Sequence, residues 1–208
     1  MAKIILSFAM ADHGGNFAHW LRDRLMKHYN YFGTDDVYLD CVALRSAGKV
    51  VYGHEEPKEG AEGVTTWVSL DTRDKFKSQG YQPIGAQNPE WKAKWNKALS
   101  EAHTMIMVIT PSYLESTWCI KEWYKFRSEK LRRPNIKGIG IKLLGDSMAP
   151  QPRSDPVWYP PQPLNQAGIN IITCMKTWRL NEPLLWHPDH HGISEADLGK
   201  VFALIGNG

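Results

Sequence analysis

The chain has 208 residues, of which 42% are hydrophobic and 23% charged, and its formal net charge is +3. This length suits one domain with a well-buried core, and the apolar content excludes an intrinsically disordered chain. The basic residues form no long contiguous patch and no apolar run reaches the roughly 18 residues of a membrane span, so we expect neither nucleic acid nor membrane as a partner. Three widely spaced cysteines and the lack of a secretion signal favour a cytoplasmic protein.

Hydrophobic patterning predicts strands that alternate with helices. Short apolar runs predict strands at Lys3–Phe8, Asp36–Cys41, Thr104–Thr110, Ile136–Leu144 and Ile169–Thr173. Helical spacing and capping residues predict helices at Phe17–Met26, Pro89–Ala102, Ser116–Arg132 and Glu195–Ile205. We expect Pro111 to begin a turn between the third strand and the third helix.

This order of elements indicates an α/β protein with a flavodoxin-like, five-stranded and mostly parallel sheet that carries helices on both faces. We expect a single domain over residues 1–208, with a long insertion at about 42–88 that holds extra elements and an irregular Pro-rich segment at about 145–168. Ligands of such sheets bind beyond the carboxyl ends of the strands, so the loops after Phe8, Cys41 and Thr110 are the expected place for a site.

Several common site motifs are missing from the sequence. It contains neither the P-loop pattern GxxxxGK[ST] nor the nucleophile elbow GxSxG, and Gly138 and Gly140 fall inside a strand pattern. One metal-like cluster is present, in a Pro-containing loop: His187, Asp189, His190 and His191. Because this cluster lacks a recognised ligand spacing, we expect no metal site.

The most informative stretch is Ser112–Trp123. In a helix, Trp123 and Phe126 would face the core, Glu122 would lie at the edge of that face, and Trp118 would lie one turn earlier. A carboxylate beside an indole near the mouth of a parallel sheet could form a catalytic site. Periodicity alone favours a simpler interpretation, a surface glutamate and a tryptophan that packs the helix down.

Three patches of the sequence resemble the TIR (Toll/interleukin-1 receptor) domain. Ile4–Phe8 is similar to the opening strand of that family, and Val37–Asp40 is similar to its second strand, which ends in Asp. The third patch, Ala98–Glu122, contains the specific pattern Ser-x-Trp-Cys-x-x-Glu. The resemblance covers residues 3–132 well and the remainder by element order, and it implies the TIR variant of the flavodoxin-like fold.

The resemblance also implies roles for individual residues. In TIR domains that act on NAD, the Glu of the Trp-Cys-x-x-Glu segment is catalytic, which implies this role for Glu122. The substrate-binding residues that it implies are Trp118, Ser7, Phe8, Asp40 and Tyr113. One carboxylate can suffice, because nicotinamide leaves its cationic pyridinium form as a neutral group and needs no proton. NAD+ is then the substrate, and we expect no separate cofactor.

The leading hypothesis is an NAD+ glycohydrolase or ADP-ribosyl cyclase-type enzyme. The chain resembles standalone, Thoeris-like bacterial TIR proteins, which implies self-association through TIR–TIR contacts and a signal nucleotide for a separate effector protein in antiphage immunity. A non-catalytic TIR–TIR assembly module is the first alternative, because Ala9 replaces an Arg of many relatives and the segment 42–88 is long. A nucleoside deoxyribosyltransferase-like enzyme is the second, although Trp-Cys-x-x-Glu is not its signature.

Overall fold

The computed structural model describes residues 1–9, 14–33, 35–39, 50–51, 82–83, 89–146, 168–179 and 190–206. Its strands are β1 (Ile4–Phe8), β2 (Val37–Tyr38), β3 (Val50–Val51), β4 (Gln82–Pro83), β5 (Thr104–Ile109), β6 (Lys137–Asp146), β7 (Ile169–Arg179) and β8 (His190–Gly192). Its helices are α1 (Gly14–His28), α2 (Pro89–Glu101), α3 (Pro111–Glu115), α4 (Thr117–Arg132) and α5 (Glu195–Ile205). Within these ranges, no helix is long and apolar enough to cross a membrane.

The central sheet has the strand order β2-β1-β5-β6-β7-β8. Its first five strands run parallel, with β1 between β2 and β5, and this is the predicted flavodoxin-like arrangement. The sixth strand, β8, pairs antiparallel with the end of β7. A separate parallel pair, β3 with β4, lies within the segment 42–88.

Helices cover both faces of the sheet, and the alternation of β1 separates its side chains between them. Leu6 and Phe8 belong to the core under α1 and α5, whereas Ile5 and Ala9 belong to the core under α2, α3 and α4. Because successive side chains of a strand point to opposite faces, Ser7 lies on the second face, beneath α4.

The structure differs from the sequence prediction at α3. Pro111 begins a helix of five residues, not a turn. The Thr110 side chain caps this helix by accepting a hydrogen bond from the Tyr113 backbone N–H at 3.2 Å, and proline is well suited to a first helical position. This short helix therefore has a local cause in the sequence Thr-Pro.

The end of the sheet also differs from the prediction. Strand β7 continues past Thr173 to Arg179, where it pairs with β8. His190 and His191 consequently lie in a strand, and their prediction as loop residues was wrong. The other two members of that cluster, at positions 187 and 189, lie outside the described residues.

Helix α2 is anchored to α4 by side chains that cross between them. The Lys125 ammonium donates to Asn96 Oδ1 at 2.5 Å. The Arg133 Nη2, just after α4, donates to the carbonyl oxygens of Leu99 at 2.6 Å and Ala102 at 3.1 Å. These bonds hold the two helices side by side on one face of the sheet.

A glycine in β6 lets α4 approach the sheet closely. A Cβ atom added at Gly138 would lie 2.6 Å from Phe126 Cζ and 2.9 Å from Ile169 Cγ1, closer than real Cβ contacts. Phe126 belongs to α4 and is fully buried, so it has no free space to move into. The depth at which α4 packs thus depends on the missing side chain at Gly138.

We predict that Gly138→Ala lowers the free energy of unfolding by about 1–3 kcal/mol, because the new methyl group overpacks the core. Urea denaturation measures this change. The matched control is Gly199→Ala in α5, where a Cβ meets nothing within 4 Å. Since alanine is the better helix former, the control should gain about 0.5–1 kcal/mol. Equal stabilities of the two variants would contradict the close packing of α4.

Candidate active site

Three polar side chains converge near the carboxyl end of β1. Ser7 comes from β1 itself, Tyr113 from α3, which follows β5, and Glu122 from α4. All three are buried, with exposed fractions of 1%, 2% and 7%. They therefore lie at the edge of the parallel sheet where ligands of this architecture bind, and on the face covered by α4.

Capping and core packing together place Glu122. The Ser116 hydroxyl begins α4 by accepting a hydrogen bond from the Cys119 backbone N–H at 3.3 Å. Cys119, Trp123 and Phe126 are buried in the core under α4. With these side chains turned to the sheet, the helical repeat directs Glu122 toward the end of β1.

The three side chains form a directed chain of hydrogen bonds. The Ser7 hydroxyl donates to Glu122 Oε2 at 2.5 Å, and its oxygen lies 3.0 Å from the Tyr113 phenol oxygen. A serine hydroxyl has one hydrogen, which is used on the carboxylate, so the phenol must be the donor to Ser7. The order is therefore Tyr113 to Ser7 to Glu122.

The pKa of the Tyr113 phenol agrees with this direction. Burial raises that pKa well above its usual range, since a phenolate would be poorly solvated. The neighbouring Cys119 and Glu122 raise it further, and the hydrogen bond with Ser7 acts in the opposite direction. The phenol thus keeps its proton at neutral pH and remains a hydrogen-bond donor.

This arrangement fixes a carboxyl group in a largely water-excluded place. A hydrogen-bonded carboxylate that is held before the reaction begins can stabilise a developing positive charge strongly, because little solvent competes for it. The described geometry therefore suits a reaction that passes through a cation, and the charge would be stabilised beside Glu122.

Trp118 lies one turn before Glu122 on α4 and is half-buried. Two ammonium groups face its ring: Lys121 Nζ lies 4.5 Å from the ring centroid, and Lys92 Nζ, from α2, lies 5.1 Å from it. The Trp118 ring is thus already a binding surface for cations. Lys121 follows Trp118 by three residues, so its contact with the ring could be predicted from helical spacing. No local feature of the sequence indicates the contact of Lys92.

The structure does not bring all predicted site residues together. Ser7 contacts both Tyr113 and Glu122 directly, whereas Tyr113 is connected to Glu122 through Ser7. Phe8 packs into the core on the opposite face, beneath α1, because it follows Ser7 in the strand. Asp40 lies outside the described residues. In the part of the chain that the structure describes, no three His, Cys, Asp or Glu side chains form a group able to hold a metal ion.

A comparison with protein families supports the resemblance. The sequence model of the TIR domain matches residues 61–159, slightly less than half of the chain. The matched part includes Tyr113, Trp118 and Glu122, and the parallel sheet has the flavodoxin-like α/β fold of TIR domains. The match supports a TIR domain, a class that includes NAD+-cleaving enzymes and signalling modules and that commonly self-associates. No curated protein and no solved structure matches the chain.

We predict that Tyr113 makes stability fall at alkaline pH. An unfolded tyrosine ionises near pH 10, whereas the folded phenol ionises only at a higher pH. As pH rises above about 10, the unfolded state releases this proton first, so the folded state loses stability. Urea denaturation at neutral pH and near pH 11 should show a smaller alkaline loss for Tyr113→Phe than for the wild type. The control is Tyr124→Phe, at a half-exposed position; a loss unchanged by Tyr113→Phe would contradict the assignment.

Proposed function

We propose that this protein cleaves the nicotinamide–ribose bond of NAD+, with Glu122 as the catalytic residue. The observation that carries the proposal is the buried Glu122 carboxyl group, which Ser7 orients at the carboxyl edge of the parallel sheet. The match to the TIR domain supports it, because this class includes enzymes that cleave NAD+.

The chemistry of the substrate agrees with a single carboxylate. When the bond between the ribose C1′ and the pyridinium nitrogen breaks, both electrons go to the nitrogen, and nicotinamide leaves as a neutral molecule. The ribose then carries an oxocarbenium-like positive charge, which the negative Glu122 stabilises. A water molecule or a hydroxyl group forms the new bond to C1′, and its proton passes to solvent.

The surroundings of Trp118 support the same substrate. Nicotinamide in NAD+ is a flat cation, and it can stack on an indole that already attracts the ammonium groups of Lys92 and Lys121. In the proposal, the pyridinium ring displaces one ammonium group from the Trp118 ring. The negative Glu122 one turn later would then lie on the ribose side of the bond that breaks.

The sequence resemblance extends the proposal to a biological role. Standalone bacterial TIR proteins of the Thoeris type make a signal nucleotide in antiphage immunity. By the same resemblance, this chain works in the cytoplasm, self-associates through TIR–TIR contacts and passes an ADP-ribose-derived product to a separate effector protein. NAD+ serves as the substrate, and the proposed reaction needs no other cofactor.

The first test is Glu122→Gln. We predict that this change lowers nicotinamide release from NAD+ by at least about 100-fold, since the isosteric amide lacks the negative charge. Chromatography of purified protein incubated with NAD+, with and without extract of infected cells, measures the release and identifies the product. Thermal unfolding checks that the variant is folded.

The matched control is Glu195→Gln, at an exposed position on α5 across the sheet. It should release nicotinamide at the wild-type rate. Undiminished release by Glu122→Gln would refute the assignment of the catalytic residue. If the wild type forms concentration-dependent assemblies and releases no nicotinamide in any state, the protein is instead a TIR–TIR assembly module.

A second test removes the hydrogen-bond chain one member at a time. We predict that Ser7→Ala lowers kcat about 10- to 100-fold, because Glu122 loses the donor that orients it. Tyr113→Phe should cost about fivefold, since it removes a bond between neutral groups and leaves the Ser7–Glu122 bond in place. Both variants should change KM little if Ser7 and Tyr113 are positioning residues. A larger loss for Tyr113→Phe than for Ser7→Ala would contradict the order of the chain.

A further inference from the structure

Helices α2 and α4 concentrate the positive charge of the protein. Their residues comprise eight basic and four acidic side chains, a net charge of +4, whereas the whole chain carries +3. The two acidic residues of α4, Glu122 and Glu129, are buried and hydrogen-bonded within the protein. The outward side of α4 is consequently basic, with exposed Lys121, Lys125 and Arg127 among its residues.

A solvent-facing groove of about 500 Å³ lies between these helices. Its volume falls in the usual range of small-molecule sites, about 300–1,000 Å³. Buried Leu99 contributes an apolar surface, and exposed Asn96 and Ser100 contribute an amide and a hydroxyl group from α2. The groove therefore combines apolar contact with several hydrogen-bonding groups.

The α4 side of the groove presents an aromatic ring and a cation on the same face of the helix. Tyr124, Ser128 and Arg132 all line the groove at a spacing of four residues, which places them on one face of the helix. Eight residues of helix span about 12 Å, so the helix positions of Tyr124 and Arg132 are separated by roughly the length of a nucleotide. Tyr124 is 53% exposed, and its ring is accessible for stacking.

The charges at the Arg132 end favour an anion. Glu129 also lines the groove, but its carboxylate is shared by two guanidinium groups, Arg132 at 3.0 Å and Arg133. Two positive charges around one negative charge leave an excess of positive charge at this end of the groove.

From this geometry we propose that the groove between α2 and α4 binds a nucleotide. The base stacks on Tyr124, and the phosphates contact Arg132. An extended acidic peptide would use the positive charges but not the exposed ring, so the observations favour a ligand with both a flat ring and phosphate. This site is distinct from the Ser7–Tyr113–Glu122 site and does not depend on NAD+ cleavage.

Calorimetric titration with ADP tests the proposal. Arg132→Ala should weaken ADP binding about 10- to 100-fold, because it removes a charged partner of the phosphates. Tyr124→Ala should weaken it about tenfold through loss of base stacking. The matched control is Arg127→Ala, an exposed arginine of the same helix that does not line the groove, and it should bind ADP as the wild type does.

Two further titrations separate the alternatives. Glu122→Gln should bind ADP as tightly as the wild type, and the groove variants should retain any nicotinamide release, so this proposal and the proposed function can fail independently. ADP binding that requires Glu122 but not Arg132 would place the ligand in the other site and overturn the inference. It is also overturned if ADP does not bind, if inorganic phosphate or polyglutamate binds as tightly as ADP, or if Tyr124→Ala has no effect.

Discussion

The hydrogen bond between Ser7 and Glu122 connects the first strand of the sheet to the helix that covers it. A carboxylate with 7% exposure would be unstable without a partner, since burial removes most of its water. Ser7 compensates for that loss and also determines where the carboxylate points. The same bond requires that β1 ends near Ser7 and that α4 lies over it. One contact thus combines a requirement of folding with the geometry of the candidate site.

Core packing makes this contact possible. Phe126 and Trp123 set the rotation of α4, and Gly138 sets its distance from the sheet. These residues determine how α4 packs on the sheet, so a change in its rotation or distance would move Glu122 away from the end of β1. The core side chains of α4 and Glu122 therefore belong to the same helix, so the packing of the core also determines the position of Glu122. This coupling explains how one helix can carry both core side chains and a side chain of the candidate site.

Much of the fold could be predicted from the sequence, because apolar runs and helical periodicity mark the long elements, as in Thr104–Thr110 and Glu195–Ile205. The short elements were missed: α3 has too few residues for a periodic pattern, and β8 depends on pairing with a distant strand.

For the candidate site, the resemblance to the TIR domain indicated Glu122. The bond to Ser7 joins residues 115 positions apart, and such long-range contacts leave no local pattern in the sequence. The contact of Lys92, on α2, with the Trp118 ring could not be predicted for the same reason.

Helix α2 is attached to α4 at two points along its length. Lys125 binds the side chain of Asn96 in the middle of α2, and Arg133 binds the carbonyl oxygens of Leu99 and Ala102 at its end. A shift of α2 along α4, or a rotation of α2 about its own axis, would break bonds at both points. The two helices thus form a rigid frame, and the walls of the groove between them keep a fixed spacing.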